Sequence, residues 1–236
     1  SYVITTNRRV KELLIARHAF LSYNDIEIIP QGFDPGDFHS YLGPNAEGVV
    51  PKASKMRITY AGVFWEDRTP KYFLQALHDV FVEQPLLRGH IEAMFIGKFR
   101  DENVKRVEKL KLNESIKVVD YLPHQQCVNN LVYSDVLWMI VGDDVGSPGK
   151  VYEYIGARKP ILGCAPEGFI KQAILEAGGK VVAPNDVAGI KQAILEFYEA
   201  YRAKALPAPP EEVVQKYDRV TLTGHLVKLF EELLAA

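Results

Sequence analysis

The chain has 236 residues, 47% apolar and 25% charged, a balance typical of a globular protein with room for one large domain or one domain with attachments. A net charge of −2 gives no support to nucleic acid as the main ligand. No apolar run approaches the roughly 18–20 residues needed to cross a bilayer, and no signal-peptide pattern is read at the start.

In chain order, the spacing of Val10, Leu13, Leu14, Phe20 and Leu21 predicts a helix over 7–23, with Thr6 or Asn7 as N-cap. A short strand over 26–30 follows, closed by Gln31-Gly32. Residues 35–55, rich in Gly, Pro, Ser and Asn and without a period, read as a surface excursion or linker. Then an alternation sets in. Strands are expected over 57–63, 91–96, 115–119, 135–141, 160–164 and 180–183. Helices are expected over 70–81, 103–110, 123–133, 148–157, 168–177 and 187–204, with Pro148 at the first helical position of its helix. After Pro207, Pro209 and Pro210 come a short helix and a last one over 221–234. Strands alternating with amphipathic helices imply right-handed crossovers and an α/β fold, a Rossmann-like doubly wound parallel sheet of six strands with extra N- and C-terminal helices. The identical hexapeptides 171–176 and 191–196 have unmatched flanks, so they read as two helices solving one packing problem rather than as a repeat.

In such a sheet ligand groups gather in the loops beyond the strand C-termini. The most informative loop is Gly142-Asp-Asp-Val-Gly-Ser-Pro-Gly-Lys150-Val-Tyr-Glu153, where a glycine-rich turn enters a helix. Lys150 and Glu153 are three apart on one helical face. They are either a cation for a pyrophosphate beside a carboxylate for ribose hydroxyls, or an internal ion pair at a solvated helix start. Gly62-Val-Phe-Trp-Glu-Asp-Arg68 places a glycine and an arginine before a helix N-terminus; Arg68 either clasps a phosphate or pairs with Glu66 or Asp67. Gly97-Lys98 offers a further cation or a solvated lysine, and Tyr121-Leu122 either borders a nucleobase or is a plain helix entry.

Other chemistries fit less well. Gly149-Lys150 lacks the Ser or Thr and the first glycine of a Walker loop, with Val151 and Asp144 in those places. No Gly-x-Gly-x-x-Gly follows the first strand of the alternation. Asp143-Asp144 has no histidine or further carboxylate near it to suggest a metal, and the scattered histidines 18, 39, 78, 90, 124 and 225 have no nucleophile partner. Cys127 and Cys164, far apart in apolar surroundings, read as buried thiols of a reducing compartment.

Taken together, these segments resemble the C-terminal, donor-binding half of a group 1 (family 4) glycosyltransferase of the two-domain GT-B architecture. The resemblance runs from Val3-Ile-Thr-Thr-Asn-Arg-Arg, through Ile28-Ile-Pro-Gln-Gly-Phe-Asp34 and Tyr60-Ala-Gly-Val-Phe-Trp-Glu-Asp-Arg-Thr-Pro70, to Pro148-Gly-Lys-Val-Tyr-Glu-Tyr-Ile-Gly-Ala-Arg-Lys-Pro-Ile-Leu162, its most specific part. It implies a remnant of the N-terminal half and the interdomain segment over 1–30, a nucleotide-sugar domain over 31–206 and a helical extension over 207–236. It implies transfer of a sugar, with retention and without a bound metal, from a UDP- or GDP-type donor in polysaccharide or glycolipid synthesis. Arg68, Lys150 and Glu153 would carry the chemistry. Gly62, Val63, Lys98, Tyr121, Leu122, Ser147, Gly149 and Val151 would line the donor site. The chain, starting at Ser1 without a methionine, would need a missing N-terminal half for the acceptor, and any attachment to the inner face of a membrane would run through that half; the expected compartment is the cytoplasm. Two features depart from the family pattern: Val145 stands where an earlier glutamate is common, and the Arg-plus-Lys pair common after the first strand is incomplete, with Val63 next to Gly62 and Arg68 as the main cation. A nucleotide-sugar epimerase of the same fold and a non-catalytic nucleotide-sugar-binding module are the alternatives.

Overall fold

The computed structural model describes residues 2–39, 43–52, 54–64 and 68–235. Its first strand, β1 (Val3–Thr5), pairs in parallel with β2 (Ile26–Ile28) in a sheet of their own. Between them α1 (Arg8–Arg17) is capped by Asn7, whose side chain accepts the Val10 N–H. The helix is shorter than its apolar spacing predicts. His18 is already extended, and the Ser22 N–H and hydroxyl both donate to Asp25 Oδ2, at 2.7 and 2.6 Å, to start a separate turn. Phe20, counted in that spacing, is 81% exposed, so the apolar face does not continue past Arg17. β2 stops two residues before Pro30; the Ile29 N–H makes the last bond, to the Thr5 carbonyl.

The main sheet contains β3 (Met56–Ala61), β4 (Ile91–Ile96), β5 (Ile116–Val119), β6 (Val136–Ile140), β7 (Ile161–Cys164) and β8 (Lys180–Val182). All pairings are parallel, in the order β5-β4-β3-β6-β7-β8. This is the expected doubly wound α/β sheet. Successive strand side chains point to opposite faces, and both faces are covered, which is why the strands read as unbroken apolar runs. Ile58, Tyr60, Phe95 and Trp138 turn toward α3 (Lys71–Glu83) and α8 (Val187–Arg202). Met94, Ile96, Leu137 and Met139 turn toward α5 (His124–Tyr133), α6 (Lys150–Gly156) and α7 (Phe169–Glu176). The charged helix α4 (Asp101–Lys109) adds Val107 to the first of these layers.

The stretch read as a surface excursion is more firmly held than its composition suggests. It contains a helical turn, α2 (Gly36–His39). Asn130 of α5 donates to the Gly48 carbonyl at 2.7 Å and accepts the Val50 N–H at 2.9 Å. Part of the stretch, residues 40–42 and 53, lies outside the described residues. At the other end of the chain α9 (Glu211–Lys216) buries Val213 and Val214 on the α6–α7 side. The last helix, α10 (Arg219–Ala235), opens two residues before the expected 221 because the Asp218 side chain accepts the Val220 N–H at 2.7 Å. Among the described residues no helix is long and apolar enough to cross a membrane.

Under β3, Tyr60 stacks on Phe64 with ring centroids 4.4 Å apart and tilts against Trp138. Burial pushes the Tyr60 hydroxyl up to about 12, against a smaller opposing pull from the Arg68 charge. Burial also raises Tyr154 and Tyr217. An unfolded tyrosine ionises near pH 10, so above that pH the unfolded chain sheds protons that the folded chain keeps. Stability is therefore expected to be undiminished by these groups below pH 10 and to fall as pH rises through 12. Tyr60 alone contributes a loss of about 2–3 kcal/mol. Urea unfolding from pH 9 to 12 measures this, and Tyr60→Phe should flatten the slope.

Candidate functional site

The strand order reverses between β3 and β6, and there the sheet opens. β3 and β4 pair along six positions, from Met56↔Ile91 to Ala61↔Ile96. β3 and β6 pair only at Ile58↔Val136 and Thr59↔Leu137. Beyond Thr59 the two strands part, and the Ala61 N–H donates to the hydroxyl of Tyr154, from α6, at 2.9 Å. The gap is the crevice at the switch point of a doubly wound sheet, where ligands of such folds are held.

Its floor is built from backbone. Because Ala61 and Ile96 are register partners, the glycines that follow them, Gly62 and Gly97, emerge side by side. Gly97 has a φ of +118°, and a Cβ there would stand 2.5 Å from the Gly62 carbonyl oxygen. No L side chain fits that contact without moving main chain. Gly97→Ala is accordingly expected to cost about 2–3 kcal/mol through strain and to close the floor. Urea unfolding reads the first effect.

Gly62, Val63, Tyr121, Leu122 and Lys150 of the expected donor site line one hollow of about 130 Å³, together with Gly97. Tyr121, 83% exposed, stands at its rim. Lys150 reaches over from the other half of the sheet and donates to Glu153 Oε2 at 2.6 Å. Their side chains are about one-third and one-fifth exposed, so the pair is accessible but partly desolvated. The helix carrying it opens at Lys150 rather than Pro148, since its first turn is built on the Pro148 and Gly149 carbonyls, which accept the Val151 and Tyr152 N–H groups.

Other expected residues stand elsewhere. Arg68 lines a separate hollow of about 210 Å³ with Thr69 and α4 residues. Lys98 is exposed beyond Gly97 and lines neither hollow. Val151 is fully buried in the core, and its N–H is taken by Pro148. The Ser147 hydroxyl is bonded to the Tyr152 hydroxyl at 2.7 Å, and Gly149 lies against Gln31. Glu66 and Asp67, the acids considered as partners of Arg68, lie outside the described residues.

In the loop before α6, Asp143 Oδ1 accepts the Val145 and Gly146 N–H groups at 3.0 and 2.5 Å. Asp144 pairs with Arg9 of α1 at 3.3 Å, and Asn7 donates to the Val145 carbonyl at 3.1 Å. Both carboxylates thus hold the loop in shape.

Sequence reasoning missed Ala61 and Ile96 of the hollow and, among its polar side chains, His124 and Cys127. His124 and Cys127 are three apart at the start of α5, which follows Tyr121-Leu122-Pro123, and that spacing is the signal that could have found them. His124 Nε2 lies 2.8 Å from Asp37 Oδ2. Burial pushes the Cys127 thiol up, partly offset by the Lys150 charge. A roomier hollow of about 400 Å³ between Phe33, Phe38 and α9 contains Arg158, but both guanidinium nitrogens that face Glu211 are already bonded to it, at 2.5 and 3.0 Å.

No family model and no curated protein matches the chain. Solved structures do, among them glycosyltransferases of GT-B type. A glycosyltransferase from Rickettsia africae ESF-5 superposes with a TM-score of 0.75 at 13% identity, over 99% of this chain and 64% of that one. Anabaena Alr3699/HepE in complex with UDP gives 0.71 at 16% identity, over 98% and 64%. WaaG, a glycosyltransferase involved in lipopolysaccharide biosynthesis, gives 0.68 at 14% identity, over 92% and 57%. At these identities the likeness is one of fold, and the chain spans less than two thirds of the length of each.

Proposed function

We propose that this chain is the donor-binding half of a glycosyltransferase, holding a nucleotide-diphosphate sugar in the crevice between β3 and β6. The observation that carries the reading is the hollow itself. A floor formed by Gly62 and Gly97 admits an anionic group close to main chain, while Lys150 brings a cation from across the switch point. Tyr121 and Leu122 border the base, the diphosphate lies along the glycine floor toward Lys150, and Glu153 accepts from the ribose hydroxyls. In this reading Lys150 stabilises the charge that develops on the departing nucleotide, and no metal is needed for it. Arg68, in this reading, adds a positive charge from the next hollow. HepE, similar in fold, has been crystallised with UDP and with UDP-glucose, which supports a uridine diphosphate donor here.

Residues 31–206 form the donor domain in this proposal, 1–30 the remnant of the other half and its junction, and 207–236 a helical extension. The acceptor site, retention of configuration, a role in polysaccharide or glycolipid assembly and a cytoplasmic, membrane-peripheral location belong to the same proposal. Calorimetry with UDP, GDP and their sugars tests donor binding; absence of any nucleotide affinity in the complete protein would remove the reading. Product analysis with a labelled donor then separates transfer from epimerisation. A second reading is a binding module without catalysis: by the resemblance Val145 stands where an earlier glutamate is common, and Asp143 and Asp144 are bonded to the loop backbone and to Arg9. Binding without turnover by the complete protein would select it.

A further inference from the structure

The hollow that contains Arg68 has a composition of its own. Arg68, Arg100 and Arg106 line it with Thr69 and Asn103, and Glu102 is the acid among its described residues. Arg100 occupies the N-cap of α4, where a cation faces the positive end of the helix dipole and caps nothing with its side chain. Glu102 offsets this weakly, its Oε1 standing 3.9 Å from Arg100 Nη1 with both side chains well exposed. Asp101 and Glu102 in the first turn favour the helix but leave the arginines clustered. Asn103 supplies a second, independent sign. It is 3% exposed, and its amide Nδ2 has no hydrogen-bond partner among the described residues. A buried donor left unmet costs about 1–3 kcal/mol, so a leucine would be expected there if packing were all that mattered.

We propose that this hollow is a binding site for a phosphate-type oxyanion, distinct from the nucleotide hollow. Its three guanidinium groups carry fixed charge and forked donors suited to such an anion. The Thr69 hydroxyl, which accepts the Lys71 N–H at 3.3 Å, retains a proton to donate. The Asn103 amide gains the acceptor it lacks. At about 210 Å³ the hollow has room for an ion or an anionic head group. The shared chemistry is a phosphate, either free or carried as a monoester on a sugar. Arg68 is shared with the donor reading, whereas Arg100, Arg106 and Asn103 have no part in that hollow, so variants at those three positions separate the two sites.

The test uses the complete protein, with isothermal titration of inorganic phosphate, glucose 6-phosphate and UDP at constant ionic strength. Arg100→Gln and Arg106→Gln are each expected to weaken phosphate binding about tenfold or more, leaving UDP affinity unchanged. Asn103→Leu should weaken phosphate while leaving the apo melting temperature unchanged or higher, which separates a ligand role from a packing role. Tighter binding of glucose 6-phosphate than of phosphate supports a sugar-borne group; equal binding supports the free ion. Phosphate affinity undiminished in the Arg100→Gln/Arg106→Gln double variant would overturn the site. So would stoichiometric displacement of phosphate by UDP, which would make the hollow an arm of the nucleotide site.

Discussion

Glu153→Ala is expected to lower the affinity for UDP at least tenfold in the complete protein, and Lys150→Ala to do so by a similar factor through a different part of the ligand. A charged acceptor bonded to ribose hydroxyls contributes about 1.5–3 kcal/mol, which is roughly one to two decades in Kd. The two residues are bonded to each other at 2.6 Å, so loss of one leaves the other's charge uncompensated, and single substitutions mix two effects. Ligand analogues separate them. If Glu153 holds the ribose, 2′-deoxy-UDP binds the unmodified protein more weakly than UDP does, and Glu153→Ala erases that difference. If Lys150 holds the diphosphate, Lys150→Ala weakens UDP but not uridine, and the salt dependence of UDP binding becomes shallower. A Glu153→Ala variant that keeps full UDP affinity and full discrimination against the deoxy analogue would reduce the pair to a brace for the start of α6.

How far the sequence foretells this site depends on which contacts are local. Buried parallel strands read as continuous apolar runs between glycines and prolines, so Ile91–Ile96 and Val136–Ile140 are plain from sequence, and the alternation with helices follows. Gly62 and Gly97 are each visible as strand terminators. Their contact is not, because it depends on β3 and β4 being neighbours in register, a long-range fact. The same holds for Arg68. Its place before a helix is legible, but the partners that enclose it come from α4, some thirty residues on by sequence number, and they draw it into a different hollow from Lys150. Val151 shows the converse: its loop position suggests a ligand contact, while the 3.6-residue period of α6 turns its side chain into the core. Cap geometry is equally hard to foresee. The length of α1 depends on a reciprocal Ser22–Asp25 turn rather than on apolar spacing, and the first turn of α6 uses Pro148 as an acceptor rather than as a helical residue.

The largest expected effect on stability comes from the opposite edge of the sheet. Arg57→Met should destabilise the protein by about 3–5 kcal/mol, a melting temperature lower by roughly 10 °C for a chain of this size. Arg57 and Glu92 are register partners on β3 and β4, 0% and 3% exposed, with Arg57 Nε donating to Glu92 Oε1 at 2.6 Å. The other two guanidinium nitrogens donate to the Val50 and Pro51 carbonyls, each at 2.7 Å, tying that stretch to the sheet. Methionine fills much of the same space but leaves the Glu92 carboxylate in the interior with, among the described residues, only Lys117, 3.4 Å away and 39% exposed, to balance it. Most of the cost is therefore a stranded charge rather than lost packing. Arg57→Met/Glu92→Leu removes both charges and should recover most of the stability, while the Val50–Pro51 stretch, which loses two guanidinium bonds but keeps those to Asn130 and Lys117, should become more open to limited proteolysis. Urea unfolding of the two single variants and the double variant measures the coupling. A double variant no more stable than Arg57→Met would show that the guanidinium acts through those carbonyls and that its bond to Glu92 contributes little.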